Sequence, residues 1–335
     1  MINRLDIIQN KLLQKKDLNF DEASYLIKNI LNKKVDDILL SSLLTLLYTK
    51  VETYDEIKAF MFYLKSKSNS FKINDELMDT CGTGGDNKNS FNFSTATCIV
   101  LSSFKVKIAK HGNRSVTSQS GSFDVLEALG IKLSSKINVV KSYYKKKGIC
   151  FLFAPYFHPI LINVSNVRKS LFFRTIFNLL GPLLNPVNLS YQLLGVSDEK
   201  NLNSHAKCLK DLRIKKGWVV HNMNGYDELT TTSKNKVLEI KNNNISRIKI
   251  IEPKDLGFKR YKEIDLKGGT AQENAFLMEN AFKGETGPIR DNIVLNSAAG
   301  LIISKKAKSM KEAINMVNYN IDNGIVMKKL KSLIG

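Results

Sequence analysis

Arginine is scarce in this chain: only eight of its 51 basic residues are Arg, and the rest are Lys. Base readout in nucleic acids leans on Arg, and aromatic residues are not interleaved with the basic runs here. The net charge of +20 is therefore read as a drift of composition towards Lys, with no specific nucleic-acid partner expected. Such a surface attracts polyanions weakly at low salt. Cysteine is equally sparse. Cys81, Cys98, Cys150 and Cys208 lie far apart with no C-x-x-C spacing, which argues against a disulfide framework and reads as free buried thiols. No apolar run approaches the ~20 residues of a membrane span, because Ser, Thr or Lys interrupts the longest candidates. Residues 1–16 lack the apolar core and cleavage site of a signal peptide, so the expected location is the cytoplasm. Internal repeats and low-complexity tracts are absent as well.

At 335 residues, with 43% hydrophobic and 24% charged residues, the chain can bury a sizeable core and is expected to form two domains. Residues up to about Ser66 read as helices. Asn19 with Glu22, and Thr53 with Glu56, have the spacing of N-terminal caps, and Leu26, Ile27 and Ile30 follow at helical intervals. The polar stretch Lys65–Asp75 reads as a hinge. From Leu77 onwards short apolar strands (105–109, 149–154, 192–196 and 218–221) alternate with helices, the pattern of an α/β domain with a mostly parallel sheet. Residues 163–177 are helical in pattern, and residues 233–252 read as a β-hairpin with an Asn-rich turn. Thr270 with Glu273 caps a late helix, and residues 292–303 form another.

The stretch from Asp79 to Gly130 carries the chemistry. It holds three polar turns, two of them punctuated by glycine: Gly82-Thr83-Gly84-Gly85-Asp86, Asn92-Phe93-Ser94-Thr95 ahead of an apolar helix, and Lys110-His111-Gly112-Asn113-Arg114 after a strand. A Ser118–Ser122 run leads into the next helix. Glycine lets backbone N–H groups approach an anion, and helix N-termini offer unpaired donors. Ser94, Thr95, Ser118 and Ser122 add hydroxyls, and Lys110 adds a point charge. The ligand expected is phosphorylated. No Gly-Lys-Ser/Thr closes a P-loop, and Asn87 stands where a dinucleotide fingerprint needs its third glycine. Asp86 beside a phosphate site implies a bridging metal or ribose hydroxyls.

These motifs, with Asn166-Val167-Arg168-Lys169, Arg174–Leu183, Gly225-Tyr226-Asp227-Glu228 and Gly268-Gly269-Thr270 followed by Glu273-Asn274, occur in the order and spacing of the anthranilate phosphoribosyltransferase family. The resemblance spans roughly residue 20 to the C-terminus. It implies a small helical domain (residues 1–70, joined by a returning segment around 163–185) and a larger α/β domain (76–162 and 186–335). The site would lie in the interdomain cleft, and a homodimer would form through the helical domain. It further implies transfer of the phosphoribosyl group of phosphoribosyl diphosphate to anthranilate, in tryptophan biosynthesis, with Mg²⁺. Lys110, His111 and Asn113 would be catalytic, and Gly82, Asn113 and Arg168 would bind anthranilate. Gly82, Gly85, Asp86, Ser90, Asn92, Ser94, Thr95, Lys110, Ser118 and Ser122 would bind the donor. Ser94, Asp227 and Glu228 would hold the metal.

Each of these residues has an ordinary alternative. A lone His is usually a hydrogen-bonded structural residue, Lys110 is one lysine among many, and adjacent acids in a loop are most often solvated. Arg168 is a rare Arg whose planar fork suits a carboxylate, against the alternative of a helix-surface ion pair. Arg114 and Arg174 read as holding turns and domains together. Cys81, next to the glycine turn, has no histidine partner to make it a nucleophile. His205 and Cys208 read as helix core and surface. Phe123, Phe172-Phe173 and Leu184 depart from the family's pattern without removing a ligand position. Two other functions share the fold: a pyrimidine nucleoside phosphorylase, and a non-catalytic relative that binds nucleic acid.

Overall fold

The computed structural model describes residues 3–115 and 119–334. The chain divides into two compact units, Met1–Ser70 with Ala154–Pro186, and Phe71–Phe153 with Val187–Gly335. In chain order, helices α1 (Arg4–Leu13), α2 (Phe20–Leu31), α3 (Asp37–Lys50) and α4 (Tyr54–Ser66) open the first unit. Strand β1 (Met78–Gly82), helix α5 (Phe93–Ser103), β2 (Ile108–Gly112), α6 (Ser122–Ala128), α7 (Ile137–Lys147) and β3 (Ile149–Phe153) begin the second. Helices α8 (Ala154–Phe157), α9 (Ser165–Ser170) and α10 (Ile176–Leu180) return to the first unit. The second unit then resumes with β4 (Tyr191–Gly195), α11 (Leu202–Asp211), β5 (Lys216–Asn222), β6 (Asn235–Lys241), β7 (Asn244–Ile245) and β8 (Lys249–Ile251). Helices α12 (Ala271–Phe282), α13 (Pro288–Ile303), α14 (Met310–Asp322) and α15 (Ile325–Leu333) complete it. Among the described residues no helix is long and apolar enough to cross a membrane.

The caps expected from spacing form. Asn19 with Glu22, Thr53 with Glu56 and Thr270 with Glu273 are reciprocal capping boxes, each satisfying two helix-end donors. Glu56 does more than cap. It is fully buried, accepts Leu18 N–H at 2.9 Å and pairs with the equally buried Lys50 at 2.8 Å, so one carboxylate joins three segments. The returning segment, expected as one helix over 163–177, is instead broken. Phe172 takes φ +52°, and Thr175 adopts an extended conformation to cap α10 with Asn178, whose Oδ1 accepts Thr175 N–H at 3.0 Å.

The same unit contains a proton-sensitive contact. His158 is buried, its Nε2–H donates to Leu184 O at 2.6 Å, and burial with the nearby Lys65 cation lowers its pKa to about 4. The folded protein thus binds this proton less tightly than the unfolded chain does. Its stability is complete above pH 6.5 and declines as the pH falls through that value towards 4. From pH 7 to pH 5 the loss is about 2 kcal/mol. Urea titrations across that range should show this loss in the wild type and a flatter profile in His158→Gln.

The sheet of the second unit has the order β3-β2-β1-β4-β5-β6-β7, with β8 also on β6. The first five strands are parallel, and β6 to β8 are antiparallel. The hairpin turns at Asn242-Asn243, both at positive φ, which Asn tolerates. Strand β2 begins at Ile108, three residues later than its apolar alternation indicated, because Lys105 closes the end of α5 at φ +60°. Helix α5 is apolar nearly all round and is buried against α13 and α15, as its lack of a polar face requires. Parallel strands bring β1, β2 and β4 to one edge at Gly82, Gly112 and Gly195, the carboxyl edge where α/β ligand sites gather.

Candidate active site

The turn after β1 and the loop after β5 meet at this edge. Gly82 lies opposite Gly195 in register, and both must be glycine for a local reason. A Cβ on Gly82 would stand 2.0 Å from the Asp227 carboxylate, and one on Gly195 would stand 1.4 Å from the Asp227 carbonyl. The bare backbone admits Asp227, whose Oδ2 accepts Gly84 N–H at 2.7 Å, and Thr83 N–H donates to Gly195 O at 2.9 Å. Gly84 and Gly85 follow at φ +65°.

Glu228 is aimed the other way. Its carboxylate accepts the Ser94 backbone N–H in the first turn of α5, while Oε2 is buried with no hydrogen-bond partner among the described residues. Burial, then the charges of Asp227 and Asp86, push its pKa far above the usual carboxylate range, with Ser94 N–H and Lys110 opposing. Three carboxylates thus crowd one end of α5. Lys110, on β2, is buried, donates to Thr80 O at 2.7 Å, and keeps its proton despite desolvation because Asp79 lies beside it. His111 N–H donates to Asp79 Oδ2 at 3.3 Å.

Several of the residues expected to bind the donor also bond within their own turns. The N-terminus of α5 is not open at Ser94, because Glu228 occupies that N–H. The Thr95 hydroxyl is buried and donates to Asn92 Oδ1 at 3.3 Å, and the Ser122 hydroxyl donates to Asn113 O at 3.2 Å. Asp86 Oδ1 accepts Lys88 N–H at 3.0 Å, and Ser90 bridges to Lys267. Asn113 is exposed on its turn. Arg114 pairs with Glu127 at 2.6 Å, which stiffens that turn. Ser118 lies outside the described residues.

In the helical unit, Arg168 on α9 has no acidic partner among the described residues, so the surface ion pair is not its role. Its guanidinium lies 5.3 Å from the centre of the Phe177 ring, Nε is buried without a partner, and burial lowers its pKa. Burial, then the Asp79 charge, raises the Cys81 pKa, and that of Cys98 is pushed up to about 11, so both thiols stay protonated near neutrality.

One residue ties these turns together that the sequence offered only as part of a motif, without a role. Asn274, buried on α12, accepts Asn92 N–H at 3.0 Å and donates to Ser120 Oγ at 3.0 Å, to Gly269 O at 3.0 Å and to Thr270 O at 3.1 Å. Its place in the Glu273-Asn274 motif was the available signal. No group of three or more His, Cys, Asp or Glu among the described residues is arranged to hold a metal by itself.

Residues 74–327 match the glycosyl transferase family a/b domain, and residues 6–65 match that family's helical bundle domain. The anthranilate phosphoribosyltransferase of Petrotoga mobilis is 44% identical over 325 residues, 97% of this chain and 94% of its own length. The chain belongs to the anthranilate phosphoribosyltransferase family. Among solved members of that family, the Thermus thermophilus enzyme superposes with a TM-score of 0.88 at 34% identity, covering 97% of this chain and 98% of its own. The Saccharomyces cerevisiae anthranilate phosphoribosyltransferase, in complex with PRPP and Mg, gives 0.89 at 28% identity, covering 98% and 96%.

For a family member built this way, Gly82→Ala is a sharp probe. The added methyl must displace the Asp227 carboxylate, so phosphoribosyl transfer should fall by about 10²-fold, as for a catalytic constellation moved by about 1 Å. Steady-state assays with both substrates varied would check this.

Proposed function

We propose that this chain transfers the 5-phosphoribosyl group of phosphoribosyl diphosphate to the amine of anthranilate, releasing diphosphate. The observation that carries this reading is the convergence of Asp227 and Glu228 on the β1 turn and the start of α5. Ser94, Asp227 and Glu228 fit Mg²⁺: their oxygens are hard, Glu228 Oε2 is buried without a partner among the described residues, and crowded carboxylates favour a dication. Two carboxylates and a hydroxyl leave the remaining positions to diphosphate and water. When bound, Mg²⁺ would neutralise charge developing on the leaving diphosphate.

The protein's own groups set the geometry. Gly82, Gly85, Asp86, Ser90, Asn92 and Ser118 are assigned to the donor, with the hydroxyls of Thr95 and Ser122 shaping their turns. Lys110, on β2 and tied to Thr80 O of β1, contributes a constant positive field rather than a flexible arm. Arg168 takes the acceptor's carboxylate, while His111 and Asn113 orient its ring. The amine lone pair forms the bond to C1 as the C1–O bond breaks, the diphosphate keeps that electron pair, and the nitrogen releases one proton. An aromatic amine is neutral and nucleophilic at pH 7, so the step needs no strong base.

Purified protein mixed with anthranilate, phosphoribosyl diphosphate and Mg²⁺ should consume the fluorescence of anthranilate, and a chelator should stop it. Absence of loss with folded protein would redirect the reading to phosphorolysis of a nucleoside. The same reading includes a cytoplasmic enzyme and a homodimer formed through the helical unit, supported by the exposed Leu13, Ile38 and Ile162. Sedimentation should give twice the chain mass.

A further inference from the structure

The acid-bearing loop is held by side chains that replace a neighbouring strand. After Glu228, three successive residues have their backbone groups bound by carboxamides. Asn296 Oδ1 accepts Leu229 N–H at 3.2 Å, and its Nδ2 donates to Leu229 O at 2.7 Å. Asn235 does the same for Thr230, at 2.9 Å in both directions. Asn292 accepts Thr231 N–H at 2.8 Å and donates to the Thr231 hydroxyl at 2.9 Å. Asn292 and Asn296 sit one turn apart on α13, and Asn235 begins β6, so successive residues are gripped by different elements.

All three asparagines are buried, and α13 around them is Ile293, Val294, Leu295, Ala298 and Ala299. An apolar residue would suit that helix better unless the loop needed the carboxamide. A carboxylate at position 296 could not donate to Leu229 O, and it would add a fourth negative charge near Asp86, Asp227 and Glu228. Neutral, two-way hydrogen bonding is what this position requires.

We propose that Asn296 is a positioning residue for the Asp227–Glu228 pair and thereby sets how tightly the site holds a divalent cation with its diphosphate substrate. This rests on the function proposed above. Asn296 touches neither substrate nor metal. It fixes the residue next to Glu228, and so the direction in which the carboxyl meets the start of α5.

The test is a titration of Mn²⁺ in the presence of phosphoribosyl diphosphate, with free Mn²⁺ read by electron paramagnetic resonance, alongside steady-state kinetics. Asn296→Leu should weaken Mn²⁺ binding about 10-fold or more, the usual effect of losing an outer support of metal ligands, and leave KM for anthranilate within about twofold. Asn292→Ala, which releases the loop two residues further from Glu228, should weaken Mn²⁺ binding by less. If Asn296→Leu does not fold, Asn296→Ser carries the same readouts. Unchanged Mn²⁺ affinity in a folded position-296 variant, or equal weakening by Asn292→Ala, would overturn the role of Asn296 alone. A wild type that binds no Mn²⁺ with the donor would overturn the functional reading as well.

Discussion

Glu228→Gln should lower kcat/KM for phosphoribosyl diphosphate by about 10³-fold and abolish most of the response to Mg²⁺, while the protein remains folded. The substitution keeps the size of the side chain and its capacity to accept Ser94 N–H, so the start of α5 is undisturbed. What it removes is one negative charge from a group crowded by Asp227 and Asp86. In the absence of ligand that charge is a cost, because burial and like-charge repulsion both oppose it. The variant should therefore unfold at the same temperature as the ligand-free wild type or above it. Donor with Mg²⁺ should raise the melting temperature of the wild type alone. Thermal scans with and without donor and Mg²⁺, next to initial rates over a Mg²⁺ series, separate this result from simple destabilisation. A variant that kept full activity with unaltered Mg²⁺ dependence would remove Glu228 from the metal site.

Arg168→Ala should raise KM for anthranilate by about 10²-fold and leave KM for the donor within about twofold, as expected when one member of a buried charge pair is lost. The physical basis is the state of the guanidinium without ligand: partly buried, stacked near Phe177, with no acidic partner among the described residues. A desolvated Arg of this kind is already oriented and lacks only an anion, and a benzoate carboxylate matches its planar fork. Arg168→Lys should recover little, since an ammonium offers a point charge where two parallel N–H bonds are needed. An anthranilate analogue lacking the carboxylate should bind the wild type and Arg168→Ala alike. A larger rise in KM for the donor would reverse the assignment.

The sequence was explicit wherever a local rule sufficed. Asn19, Thr53 and Thr270 cap helices because a side-chain oxygen and an acid three residues on satisfy the first free N–H groups whatever the rest of the chain does. The alternation of short apolar strands with helices led to the parallel sheet for a similar reason: each strand is buried on both faces. The returning segment was misjudged because its apolar period continues through Phe172, whereas the cap at Thr175 demands extended backbone. Strand β2 was placed too early because Lys105 and Val106, which belong to the turn, share the alternation of the strand.

By itself, then, the order of residues determined the helical and α/β units and the glycine turns at strand ends, while Asp227-Glu228 stood out only through resemblance to a family. Only tertiary structure decided what those groups do to one another. It set Asp227 against Gly82 and Gly195, turned Glu228 onto the start of α5, buried Lys110 beside Asp79, and gripped the loop after Glu228 with Asn235, Asn292 and Asn296. Caps and periodicity act within a few residues, where the chain's own geometry brings partners together. The charges and carboxamides of the site come from distant segments, and their effect depends on burial and approach that exist only once β1, β4, β5 and α13 have packed.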